Sequence, residues 1–185
     1  RVIAITGTNG KTTTTTLTGE IMKAHFGKDK TFVVGNIGNP YTLEADKTSK
    51  DSVTVGEISS FQLETIHTFH PVVSAILNIT PDHLNRHHTM EAYVAAKEAV
   101  ASQQTKADIC VLNYDNDYTR DFAGRCPATP VLFSSHQELE NGYFLRGDKI
   151  IKSVNGEEHE LMDIHKDMNL VGLCNVENVM AAIAI

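Results

Sequence analysis

The chain has 185 residues, 41% hydrophobic and 21% charged, with 12 glycines and 5 prolines, which excludes collagenous, low-complexity and disordered classes and predicts one domain with a real core. Its formal net charge of −7 provides no global basic field, so neither nucleic acid nor an anionic membrane is an expected partner and any polyanion must be gripped locally. The three cysteines, Cys110, Cys126 and Cys174, form no C-x-x-C pair, and there is no membrane-length apolar run or signal-peptide pattern; a soluble protein of the reducing cytoplasm is expected.

The chain opens at Arg1 inside an apolar run and ends inside a helical pattern, as expected of a piece of a longer protein. Val2-Ile3-Ala4-Ile5 predicts a first strand, followed by a helix from residue 11 to about 25. Thr31-Phe32-Val33-Val34 and Ser52-Val53-Thr54-Val55 predict two more strands, separated by a polar, mobile surface loop at 42–51. A helix from 60 to about 68 leads to a strand at Val72-Val73-Ser74-Ala75-Ile76-Leu77, and a helix from 89 to about 104 leads to Ile109-Cys110-Val111-Leu112. A helix from 115 to about 122, a strand at Pro130-Val131-Leu132-Phe133 and a closing helix from Asn175 complete the alternation. Runs apolar on both faces suit parallel strands covered on two sides, so the expected fold is α/β, a doubly wound and mostly parallel sheet of P-loop type. Residues 141–164 differ, because Asn141-Gly142, Gly147-Asp148 and Asn155-Gly156 punctuate short segments with dipeptides that tolerate positive φ; they predict a small antiparallel ribbon at the edge of a single domain spanning 1–185.

Gly7-Thr8-Asn9-Gly10-Lys11-Thr12-Thr13 lies between a buried strand and a helix, the context a phosphate-binding loop needs. Glycines turn backbone N–H groups toward the phosphates, the helix N-terminus adds positive charge, Lys11 supplies a mobile cation and Thr12 a hydroxyl for Mg²⁺. The fit to G-x-x-x-x-G-K-[ST] is incomplete, since Ile5 stands where the leading glycine belongs. Five consecutive threonines, Thr12 to Thr16, are poor helix formers, so packing or ligand must favour this helix.

Glu57 ends a buried strand, with Ser60 as the expected cap of the next helix, and a carboxylate there can complete Mg²⁺ coordination opposite Thr12. The loop Thr80-Pro81-Asp82-His83-Leu84-Asn85-Arg86-His87-His88 crowds three imidazoles. Leu84 stands where H-E-x-x-H requires glutamate, which argues against zinc, and each histidine alone suits a solvated or hydrogen-bonded surface role. In the helix after it, Met90, Tyr93, Val94, Val100 and Ala101 form an apolar stripe that also carries Lys97, while Glu91 and Glu98 mark the wet face. A covered lysine either snorkels, pairs with Asp82, or loses its proton and becomes a nucleophile able to take up CO₂ as a carbamate, an anionic metal ligand. At the far end, Asn175 suits a helix N-cap, whereas Asn178 one turn on is a poor mid-helix residue whose amide can read an adenine edge.

These segments together resemble the central, ATP-binding domain of the Mur ligases of bacterial peptidoglycan synthesis. The resemblance rests on Gly7 to Thr12, Asn36-Ile37-Gly38-Asn39-Pro40, Glu57 to Glu64, Asn78 to Arg86 with Lys97, and Gly172 to Asn178, and it covers nearly all of the chain. The Ser59-Ser60-Phe61-Gln62-Leu63-Glu64 run is most similar to the members that add D-glutamate. It implies an ATP-dependent ligase that phosphorylates the carboxylate of UDP-N-acetylmuramoyl-L-alanine and lets D-glutamate attack the acyl phosphate, releasing ADP and phosphate. By the same resemblance, Lys11 and the loop residues Gly7, Thr8, Asn9, Gly10, Thr12 and Thr13 hold the phosphates, and Thr12 with Glu57 serves one Mg²⁺. His83 with carbamylated Lys97 serves a second Mg²⁺, His83 also meeting the substrate; Asn36 and Ser59 face the UDP-muramoyl group, and Asn175 and Asn178 the adenine. Asn85, where aspartate is usual, and Cys174, where histidine is usual, depart from the pattern. The family's other two domains would be absent, so a monomer unable to ligate alone is expected. Alternatives are a sister Mur enzyme, a folylpolyglutamate synthetase, or a P-loop switch that binds nucleotide without ligation; the last has no need of Lys97 on an apolar face.

Overall fold

The computed structural model describes residues 1–185. In chain order it contains β1 (Val2–Thr6), α1 (Lys11–Phe26), β2 (Thr31–Gly35), α2 (Tyr41–Glu44), β3 (Val53–Glu57), α3 (Ser60–Leu63) and β4 (Val73–Ile76). There follow α4 (Leu84–His87), α5 (Met90–Glu98), β5 (Ile109–Asn113), α6 (Asp117–Ala123), β6 (Thr129–Ser134), β7 (Gly142–Arg146), β8 (Lys149–Val154), β9 (Glu157–Asp163) and α7 (Leu173–Ala184). All nine strands join one sheet in the order β2-β3-β1-β4-β5-β6-β7-β8-β9. Pairing is parallel from β2 through β7 and antiparallel only between β7, β8 and β9. The doubly wound sheet and its edge ribbon therefore stand as the sequence predicts, and β7 pairs with β6, so the ribbon is continuous with the main sheet.

Strand alternation sorts the core into two layers. Ile3, Ile5, Val55, Ala75 and Val111 pack with Met180 of α7 on one face. Ala4, Ile76 and Leu112 pack on the other with Tyr93 of α5 and Phe122 of α6. Strand order reverses at β1, which lies between β3 and β4, and ligands of open α/β sheets bind at such a switch point, outside the carboxyl ends of the strands. The loops after β1, β3 and β4 share that edge. Burial of Thr14, Thr15 and Thr18 against its neighbours accounts for a helical threonine run that propensity disfavours.

Several local expectations are corrected. Residues 42–47 of the expected 42–51 loop are ordered as α2 and a 3₁₀ turn at Ala45–Lys47, leaving 48–51 as loop, and Asn39 Nδ2 donates to the buried Glu44 carboxylate at 2.7 Å. The helix after β3 is a single turn whose cap is Ser59, not Ser60: Ser59 Oγ accepts from Gln62 N at 3.3 Å while the Gln62 side chain accepts from Ser59 N at 2.9 Å. That is a reciprocal capping box. α6 starts at Asp117 rather than 115, with Asn116 as its cap. The last helix begins two residues before Asn175, after Gly172 at φ 95°, so Asn175 is not its N-cap. Glu98 does not face water, because its side chain is 12% exposed and paired with Arg125.

Candidate functional site

The loop after β1 is pinned from outside rather than by its own sequence. Thr8 N donates to Asn78 O at 2.9 Å, and the Asn78 side chain accepts from Asn9 N at 2.8 Å and donates to Asn9 O at 3.2 Å. Thr8 Oγ1 accepts from Thr80 N at 3.0 Å and lies 3.1 Å from Tyr93 Oη. Gly10, at φ 83°, starts α1 without a side-chain cap, which leaves first-turn N–H groups free for an anion. Its missing side chain is also a spatial requirement, because a Cβ there would stand 2.2 Å from Asn178 Oδ1.

Thr8, Asn9, Gly10, Lys11, Thr12, Thr13, Asn36 and Glu57 line one polar cleft of about 350 Å³. Glu57, 1% exposed, is held at both oxygens: Thr12 Oγ1 donates to Oε2 at 2.8 Å and Asn36 Nδ2 to Oε1 at 2.9 Å. The tight crossing of Gly35 (φ 111°) over the Glu57 backbone brings Asn36 to that position. These groups are hard oxygen donors, the kind that suit Mg²⁺.

Two lysines converge on one carbonyl. Lys11 Nζ donates to Gly7 O at 3.0 Å and to Thr8 O at 2.9 Å, while Lys97 Nζ donates to Gly7 O at 2.8 Å. Lys97 is 2% exposed and lies 4.7 Å from the centre of the Tyr93 ring. Burial, reinforced by the Lys11 charge and opposed by Asp82, lowers its pKa to about 7. An acidic chain thus concentrates cationic groups at the one loop that could receive phosphates.

His83 is half-exposed and heads α4 in a left-handed conformation, φ 52°. Its ring lies 4.9 Å from Phe61, and its Nε2 lies 3.5 Å from Asp82 Oδ2. No direct contact joins it to the Lys97 ammonium, which turns to Gly7 instead. Ser59, the capping residue, and Glu57 bracket the turn from β3 into α3. Asn178 is buried and accepts from Thr14 Oγ1 at 3.3 Å. Its Nδ2 donates to Asn175 Oδ1 at 3.3 Å, and Asn175 Nδ2 donates to Val171 O at 2.8 Å. Asn178 thus braces α7 against α1 and the Gly10 turn, while Asn175 ties Asn178 to the segment before α7.

Sequence reading missed three contributors. Asn78 and Tyr93 clamp the loop; their signals were a strand-end asparagine and a tyrosine one turn before Lys97 on the same face. His87 is no surface residue: it is 6% exposed, with Nε2 3.0 Å from Ser60 Oγ and Nδ1 3.2 Å from Glu64 Oε1.

Comparison with known proteins follows the same lines. The model of the Mur ligase middle domain matches residues 5–185. The chain is 59% identical over 184 residues to the UDP-N-acetylmuramoylalanine–D-glutamate ligase of Lachnospira eligens, and 58% identical over 185 residues to that of Lachnoclostridium phytofermentans. It spans 100% of itself but about 40% of the length of each of these curated relatives. Among solved structures it resembles a UDP-N-acetylmuramoyl-L-alanyl-D-glutamate–2,6-diaminopimelate ligase, with TM-score 0.74 and 24% identity over 99% of this chain and 42% of that one. It also resembles the MurF ligase of Thermotoga maritima in complex with ADP, with TM-score 0.66 and 17% identity over 98% of this chain and 44% of that one. These two likenesses establish a shared fold.

Proposed function

The chain belongs to the Mur ligase middle-domain family, and from that premise we propose that it forms the nucleotide-binding part of an ATP-dependent ligase adding D-glutamate to UDP-N-acetylmuramoyl-L-alanine in peptidoglycan precursor synthesis. The observation that carries the proposal is Glu57, held between Thr12 and Asn36 in the cleft of the Gly7–Lys11 loop. The names of the relatives at 59% and 58% identity support the choice of amino acid.

In this reading the γ-phosphoryl group of ATP passes to a carboxylate oxygen of the muramoyl substrate. The amine nitrogen of D-glutamate then attacks the acyl carbon, the C–O bond breaks, phosphate leaves with the electron pair, and the amine gives up a proton. Lys11, the loop amides from Gly7 to Thr13 and the α1 N-terminus offset the charge of the β- and γ-phosphates. Thr12 and Glu57 would supply oxygen donors for one Mg²⁺, which when bound would supply charge neutralisation. Lys97, with a pKa near 7, has a large neutral fraction at physiological pH and is set up to capture CO₂. As a carbamate it would serve a second Mg²⁺ together with His83, whereas a bare ammonium is no metal ligand. Asn36, Ser59 and His83 lie toward the muramoyl side. Asn175 and Asn178 lie toward the adenine, with Asn178 acting through its brace under Gly10. The ligase would work as a cytoplasmic monomer, without nucleic acid or membrane.

The test is phosphate release by the full-length ligase containing this chain, given ATP, Mg²⁺ and UDP-N-acetylmuramoyl-L-alanine. Release that depends on D-glutamate and falls at least 100-fold in Lys11→Ala is the expected result. Release driven equally well by L-lysine or diaminopimelate would transfer the chain to a sister ligase.

A further inference from the structure

The two catalytic sides of the cleft come from different crossovers. Glu57 closes β3 and Ser59 follows it in the turn to α3, whereas His83 and Lys97 belong to the connection after β4. Parallel ladders fix β3, Glu57 included, and β4 on opposite sides of β1, but they end before Ser59, His83 and Lys97. Something else must set α3 against α4 and α5.

His87 occupies that joint. Its ring stacks on Phe61 of α3 with centroids 5.6 Å apart and planes 20° apart, and it lies 5.1 Å from Tyr93 of α5. Both nitrogens are engaged by α3, Nε2 with Ser60 Oγ at 3.0 Å and Nδ1 with Glu64 Oε1 at 3.2 Å. Glu64 is held in its ionised form chiefly by the hydrogen bond from Arg86. The backbone N–H of His87 closes the α4 turn on His83 O at 3.0 Å, and its carbonyl accepts from Thr89 N, the cap residue of α5, at 2.8 Å. Phe61, the residue under the His87 ring, also meets His83 at 4.9 Å. A single buried side chain therefore touches the helix following Glu57, the turn led by His83 and the helix carrying Lys97.

We propose that His87 is a positioning residue for the ligase reaction, locking α3 to the α4–α5 joint so that His83 is presented to the substrate side of the cleft at a fixed distance from Glu57. This rests on the ligase reading above. His87 makes no contact with the phosphate loop itself and reaches it only through the Tyr93 ring, so its effect is expected mainly in the chemical step rather than in ATP binding.

The experiment is a double-mutant cycle in the full-length ligase. His87→Phe keeps a planar ring and deletes both the hydrogen bond to Ser60 and the polar contact with Glu64. It is expected to lower kcat at least 10-fold while leaving the KM for ATP within twofold. In a His83→Ala background the same change is expected to lower kcat by less than twofold further. Full additivity of the two losses, or a loss seen only in the KM for ATP, would overturn the proposal. Ser60→Ala and Glu64→Gln each remove one partner and enter the same cycle if His87→Phe does not fold. A second arm uses hydrogen exchange on the 185-residue chain. Exchange at the amides of 86–88 is expected to rise at least 10-fold in His87→Phe while β1 amides stay protected. Unchanged exchange there overturns the positioning claim even if the enzyme is active. An inactive wild-type ligase with raised exchange in the variant would instead refute the ligase reading and leave the mechanical joint standing.

Discussion

At the scale of single residues, Lys97 is the side chain whose environment most contradicts its chemistry. Burial lowers its pKa to about 7 from an ordinary value of 10.5, so between those limits the unfolded chain binds more protons than the folded one. Stability must therefore rise with pH across that window and lose this gain as pH falls toward 7. In bicarbonate-free buffer, the melting temperature of the wild type is expected to climb from pH 7 to 9.5 relative to Lys97→Met, by the equivalent of about 2–4 kcal/mol. Parallel curves for the two proteins would show that the ammonium is solvated. Gly10 gives a second contrast, since a Cβ there meets Asn178 Oδ1 at 2.2 Å and φ is 83°, whereas Gly124 has φ −70° and a Cβ there would lie 3.7 Å from Asp121 O. Gly10→Ala is expected to cost about 1–3 kcal/mol and to weaken nucleotide binding, while Gly124→Ala is neutral or gains about 0.5 kcal/mol; chemical denaturation of both measures the difference. Lys97 and Glu57 were legible because helical period and strand ends fix their direction. His87 was not, because adjacent histidines look alike and the atom that distinguishes it, Ser60 Oγ, is 27 residues away.

At the scale of elements, the long periodic pieces were legible and the single turns were not. β1 and β5 put apolar residues into both core layers, and β3, β4 and β6 carry apolar runs long enough to announce them. α2, α3 and α4 are four residues each, too short to show a period, and they exist because tertiary contacts and caps hold them. α3 depends most on its cap, since the Ser59–Gln62 box supplies partners at its first turn. Ser59→Ala is expected to destabilise the domain by about 1 kcal/mol, with Ser59→Thr recovering most of it. Comparing these variants also separates the two roles of Ser59. If Thr restores stability while ligase activity stays low, the hydroxyl serves substrate as well as the helix; if activity follows stability, capping is its whole contribution. The assignment of Asn175 as a cap failed for a related reason. Gly172, at φ 95°, lets the chain enter α7 earlier, and a glycine entry leaves no side-chain signature.

At the scale of the whole molecule, the groups proposed to hold the phosphates gather at one edge of one sheet. The loops after β1 and β3 and the Asn78 end of β4 are cross-pinned by hydrogen bonds between 2.8 and 3.2 Å. Asn178 reaches the same loop from α7, which closes on α1 and the apolar layer of the sheet. None of these contacts needs a partner outside the 185 residues, so the phosphate cradle is preorganised within the chain. The reaction is a different matter, since relatives named as D-glutamate ligases are about 2.5 times as long, the chain covering 40% of each. The 185-residue chain is therefore expected to bind Mg·ADP by titration calorimetry, and Lys11→Ala to weaken that binding at least 10-fold. The same preparation should show no D-glutamate-dependent phosphate release. Measurable ligation by the 185 residues would mean that the cleft at this sheet edge holds both substrates unaided, whereas failure to bind Mg·ADP would mean that the rest of the longer protein is needed even to complete the phosphate cradle.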